Sequence, residues 1–196
     1  GLAVKMGIRP FLLADGLSVD ACIGMSVTGD EVNNAAGVLL GGDDGDLLYQ
    51  TETNLATGSS TITKQEVANR LVRQSVSEAL DRGDLEQPQS LAIHRNGQFG
   101  DQEIVGIREG IDTLVESGDL PDSITWHAVE ISGSSPYRTY TDDGGECSTG
   151  TVAKLDSKNA LITTFGAPQI HQGTPQPLYC TIRASDGPYS VFDVAT

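Results

Sequence analysis

The sequence predicts an α/β domain, a mixed β-sheet flanked by helices. Three observations carry the expectation. Short apolar runs bounded by turn residues fill the first quarter of the chain, and two longer segments repeat apolar residues at helical spacing, each followed by a further strand-like run. The chain has 196 residues, 38% of them hydrophobic, which suits one domain with a real core.

Each element has its own warrant. Ala21-Cys22-Ile23-Gly24-Met25-Ser26-Val27 has strand length and is followed by the turn residues Thr28-Gly29-Asp30. Ala35 to Leu40 and Asp46 to Glu52 are two more strands, with a strong reversal signal in Gly41-Gly42-Asp43-Asp44-Gly45 between them. Thr63-x-x-Glu66 is a capping box, whose hydroxyl and carboxylate can satisfy free amides at a helix start. Val67, Leu71, Val72, Val76 and Leu80 then keep helical spacing up to the stop signal Arg82-Gly83. Ser90 to His94 reads as a strand, and Ile104, Ile107, Ile111, Leu114 and Val115 mark a second helix ending at Ser117-Gly118. Ile124 to Ile131 and Tyr137 to Tyr140 read as extended, and Val152 to Leu155, Ala160 to Phe165 and Leu178 to Arg183 as strands. Three hairpin-linked strands, then helix, strand, helix and strand, is the order of the ribonuclease H-like fold, although other α/β domains share it.

Charge narrows the function classes. Twelve basic residues face 27 acidic ones, a formal charge of −15, which argues against a general polyanion coat or a basic membrane-surface module. No apolar run approaches the roughly 20 residues that cross a bilayer, and Gly1 to Lys5 lacks the start of a signal peptide, so no membrane partner is expected. Arginine outnumbers lysine and Asp outnumbers Glu, the bias of a protein kept soluble in concentrated salt; a halophilic source is the expectation. Cys22, Cys147 and Cys180 are scattered and odd in number, which favours reduced thiols in a cytoplasmic protein over a disulfide scaffold.

Three segments resemble one family. Ala3-Val4-Lys5-Met6-Gly7-Ile8-Arg9-Pro10-Phe11 is similar to the A-K-x-G-x-x-P-W stretch leading into the PIWI domain of Argonaute proteins. His94-Arg95-Asn96-Gly97, followed by Gln102-Glu103, resembles the R-D-G strand end of that domain, and Gly173-Thr174-Pro175-Gln176-Pro177-Leu178 resembles its G-T-P-x-P-L stretch. The matches keep the family's order over nearly the whole chain. The resemblance implies a single PIWI domain over residues 1–196 of a prokaryotic Argonaute, haloarchaeal by the acidic composition, with residues 1–18 joining a preceding MID-like domain and a final helix missing after Thr196.

Active members of this family hold two Mg²⁺ ions about 3.5 to 4 Å apart on carboxylates, one ion activating water and the other stabilising the leaving oxygen. The family pattern has Asp at the first strand's end, Glu on a loop after the third strand, Asp in R-D-G, and a last Asp or His near the C-terminus. Here the first position is Ser26, the R-D-G position is Asn96, and the loop Thr57-Gly58-Ser59-Ser60-Thr61 has no carboxylate. Neutral oxygens cannot cancel the charge of a divalent pair, so the expectation is a domain without nuclease activity. An alternative stays open, that Ser26 and Asn96 are engineered substitutions in a metal-dependent, guide-directed endonuclease. No cofactor is expected in this chain itself, with Mg²⁺ entering only at a guide 5′ phosphate or under that alternative.

What the resemblance leaves is binding of guide and target nucleic acid, DNA or RNA, in company with other Argonaute domains. Lys5 matches the family lysine at the guide 5′ phosphate, Arg95 and Arg138 are candidates along the duplex groove, and Arg9, Lys154 and Arg183 are further candidates. The plain reading of each is a solvated surface charge. His94 reads as a packed strand histidine, and His127 and His171 lack metal-spaced partners. Ser132-Gly133-Ser134-Ser135 has no nearby His and Asp for a serine hydrolase, and Gly41-Gly42-x-x-Gly45 precedes a strand rather than a phosphate-binding helix.

Overall fold

Alternation along the strands builds the sheet with two different faces. The computed structural model describes residues 17–28, 34–41, 46–54, 63–142, 144, 147–164 and 176–187. Within them run β1 (Ala21–Thr28), β2 (Asn34–Gly41), β3 (Asp46–Asn54), α1 (Lys64–Arg82), β4 (Ser90–Asn96), α2 (Asp101–Ser117), β5 (Thr125–Ser132), β6 (Val152–Lys154), β7 (Asn159–Ile162) and β8 (Leu178–Asp186). The strands form one sheet in the order β3-β2-β1-β4-β5-β8-β7-β6. Its centre, β1-β4-β5, is parallel, and every other neighbouring pair is antiparallel. This is the mixed α/β sheet with packed helices that the element order suggests.

Ala21, Ile23 and Met25 of β1, Leu91 and Ile93 of β4, and Trp126 and Ala128 of β5 share the main core with Val67, Leu71, Val72 and Val76 of α1 and Ile107, Ile111 and Leu114 of α2. The intervening Cys22, Ala92 and Val129 join Ala160, Cys180 and Ile182 in a second cluster. Successive side chains leave a strand on opposite sides, so the two clusters lie on the two faces, and both helices cover one of them.

The helix ends follow their chemistry. The Thr63 hydroxyl accepts from the Glu66 amide at 3.2 Å, and the Glu66 carboxylate accepts from the Thr63 amide at 2.8 Å, completing the capping box. Gly83 and Gly118 end α1 and α2 in the left-handed region, at φ 71° and 83°. The helices approach closely because α2 carries glycine where α1 crosses: a Cβ on Gly106 would lie 2.1 Å from the Gln65 carbonyl oxygen, and one on Gly110 would lie 3.1 Å from that of Asn69.

Two expectations are corrected. Tyr137 to Tyr140 forms no strand beyond an isolated bridge at Tyr140. The Ser135 hydroxyl accepts from the Tyr137 amide and the Ser135 carbonyl from Arg138 and Gln176, so local bonds take the place of a ladder. The strand expected over Ala160 to Phe165 is β7 and stops at Ile162; Phe165 lies outside the described residues. No described helix is long and apolar enough to cross a membrane.

Candidate nucleic-acid interface

Parallel neighbours bring the ends of β1 and β4 together. Their last registered pair is Met25 with Arg95, and the next residue on each strand is Ser26 and Asn96, both exposed. Met25 faces the helices, so Ser26 and Asn96 leave from the opposite face, where Cys22 and Ala92 lie further down the same strands. Ser26 also continues a row across the antiparallel strands, through Ala36 to Glu52 on β3.

The donors at these ends are a hydroxyl and an amide, both neutral, whereas paired Mg²⁺ ions call for carboxylates. Among the described residues no three His, Cys, Asp or Glu side chains gather as a metal-holding group. Burial pushes the Cys22 thiol up to about 12 and the Cys180 thiol up to about 11, so neither offers a thiolate near neutral pH. Ser26 and Asn96 by themselves do not supply the carboxylates that a divalent pair calls for.

One residue before Asn96, the chain turns its charge inward. Arg95 shares the helix-facing side of β4 with Leu91 and Ile93, and its Nη1 meets the Glu103 carboxylate at 2.6 Å. The pair is largely enclosed, with side-chain exposures of 14% and 2%. Glu103 also accepts from the Gly100 amide at 2.7 Å, closing the first turn of α2, and the Arg95 guanidinium lies 5.8 Å from the centre of the Phe99 ring. Phe99 is fixed in turn by its amide, which donates to Glu130 at 2.9 Å. Arg95 is therefore engaged inside a corner between β4, β5 and α2. The sequence reading missed Glu103 as its partner; the signal was present in the two-residue alternation Leu91-Ile93-Arg95, which sends Arg95 toward the helix layer.

Arg183 reaches the same corner by a bulge. Ala128 pairs with Ala184 and Val129 with Ile182, which leaves Arg183 as the extra residue on β8. Ile182 and Ala184 consequently pack on opposite faces, and Arg183 meets Asp101 at 2.7 Å and Glu130 at 3.8 Å. It remains nearly half exposed.

Arg138 lies apart from this corner, exposed, with Nη1 donating to the Ser135 and Tyr137 carbonyl oxygens. Lys154 ends β6 and is exposed. His94 is half-buried on β4, and His127 is fully buried on β5. Lys5, Arg9, His171, residues 57–61 and residues 173–175 lie outside the described residues.

The chain matches no family model and no curated protein sequence. Solved structures do resemble it. Argonaute from A. aeolicus matches with a TM-score of 0.65 at 18% identity, over 99% of this chain and 26% of that one. Marinitoga piezophila Argonaute in complex with a 5′ OH guide RNA matches with a TM-score of 0.59 at 16% identity, over 89% of this chain and 24% of that one. The same protein with guide RNA and target DNA matches with a TM-score of 0.57 at 16% identity, again over 89% and 24%. The chain thus spans about a quarter of each of these proteins. At such identities the likeness is one of fold: this is a ribonuclease H-like α/β domain similar in architecture to the PIWI portion of Argonaute.

Proposed function

We propose that this chain is a PIWI domain serving guide-directed nucleic-acid binding without cleavage of the target. The observation that carries the reading is the pair of neutral side chains, Ser26 and Asn96, at the adjoining ends of β1 and β4 on an Argonaute-like sheet. Such a domain holds the strands through their phosphates while base pairing reads the sequence. Lys5 is the proposed contact at the guide 5′ phosphate, with Mg²⁺ there, Arg138 and Arg95 are proposed along the bound strands, and Arg9, Lys154 and Arg183 are further candidates. Arg95 and Arg183 keep a smaller place in this set, because carboxylates already face their charges. The partners are a guide strand, a target strand of DNA or RNA, and other Argonaute domains.

A second reading, a metal-dependent guide-directed endonuclease, draws on Glu52, whose backbone lies in one row with Ser26. One assay separates the two. The full-length protein is loaded with 5′-phosphorylated guides and mixed with labelled matched targets in Mg²⁺ or Mn²⁺. Retention of intact target is the expected outcome, and guide-dependent target fragments would sink the non-cleaving reading.

A further inference from the structure

Tyr137 is about half exposed although it is a large aromatic side chain, and its ring stacks on that of Tyr179, with centroids 6.1 Å apart and planes inclined by 29°. The Tyr179 ring is anchored through its hydroxyl and the Tyr137 residue through its backbone. The Tyr179 hydroxyl donates to Asn159 Oδ1 at 2.9 Å, and Asn159 is itself held by the Asp156 carboxylate at 2.8 Å. The Tyr137 amide donates to the hydroxyl of buried Ser135, whose carbonyl is gripped by Gln176 at 2.8 Å. Beside this stack stands Arg138, exposed, its Nη1 bound only to carbonyl oxygens; among the described residues no carboxylate forms an ion pair with it.

A stacked aromatic surface in sequence with a guanidinium that meets no carboxylate among the described residues matches a nucleotide: a flat base to lie on the ring and a phosphate to meet the cation. We infer that Tyr137 is a stacking platform for an unpaired nucleobase of the bound strand, with Arg138 contacting that nucleotide's phosphate. The inference rests on the nucleic-acid-binding reading and adds to it the kind of nucleotide recognised.

The test uses the full-length protein and single-stranded 16-mers of DNA and RNA, 5′-phosphorylated, with 2-aminopurine placed at successive positions. Stacking should quench emission several-fold at one position. Tyr137→Ala should abolish that quenching and weaken single-strand binding about 10-fold, while Tyr137→Phe retains both. Arg138→Gln should reduce the salt slope of binding by about 0.7. Strands that bind without position-specific quenching, or quenching that persists in Tyr137→Ala, would overturn the platform and leave the binding reading standing. Absence of binding by every strand would overturn both. Unchanged affinity of Tyr137→Ala for a fully paired duplex excludes misfolding as the cause of its loss.

Discussion

Arg95 and Glu103 show how one residue can be misjudged from its neighbours in sequence. In the chain Arg95 stands beside Asn96 and looks like part of the same motif, yet alternation sends the two side chains to opposite faces. Charge alone could not identify the partner, because Glu103 is one of 27 acidic residues and only the start of α2 turns it inward. Removing the carboxylate strands an enclosed cation, so Glu103→Ala should lower unfolding stability by about 3–5 kcal/mol in urea titrations. The double substitution Arg95→Met with Glu103→Leu should recover most of that loss, since it removes both charges. Glu66 makes a pH prediction. The Thr63 amide, then the Thr63 hydroxyl, holds its carboxyl below the ordinary value of 4.5. Its folded state therefore favours the ionised form, and the stability it adds is present above about pH 4.5 and fades as pH falls through the lowered value. The difference in unfolding midpoint between the native chain and Glu66→Gln should thus shrink between pH 7 and pH 3.

Elements were far more legible than contacts. The capping box, the apolar spacing of α1 and the left-handed glycines predict the helices because these are local rules, satisfied within a few residues. The strands of the sheet's centre were legible for the same reason, as bounded apolar runs. Tyr137 to Tyr140 misled because its aromatic residues carry strand propensity while the bonds that decide its path come from Ser135 and Gln176. The crossing of α1 and α2 was invisible as well, since glycine at positions 106 and 110 reads only as weak helix propensity until the facing backbone is known. Gly106→Ala should cost about 1–3 kcal/mol through overpacking, and Gly110→Ala clearly less. Thermal unfolding should register the first as a drop of roughly 2–4 °C for each kcal/mol.

The whole molecule is dominated by its charge of −15, and salt should act on it in two opposite ways. Screening relieves repulsion among carboxylates, so the unfolding temperature should rise as KCl goes from about 0.1 to 1 M, where the Debye length falls to about 3 Å. Affinity for a guide strand should fall over the same range, because salt competes for phosphate contacts. A flat thermal response would remove the halophilic expectation. A flat binding response would count against phosphate contacts by Arg138, Lys154 and Arg183. Neither the −15 nor the candidate cations alone foretells function, since a few local charges can act within a repelling whole.

The enclosed corner also bears on the order in which the chain acquires its shape. Arg95 and Glu103 are only eight residues apart, whereas the Asp20 carboxylate that ties β1 to β4 reaches Ser90 across 70. Closing a short loop costs less chain entropy than closing a long one. The β4–α2 corner should therefore nucleate early, and the conservative variant Glu103→Gln should slow refolding nearly as much as it destabilises, with a φ value approaching one in stopped-flow measurements. Disrupting the Asp20 tie should instead quicken unfolding.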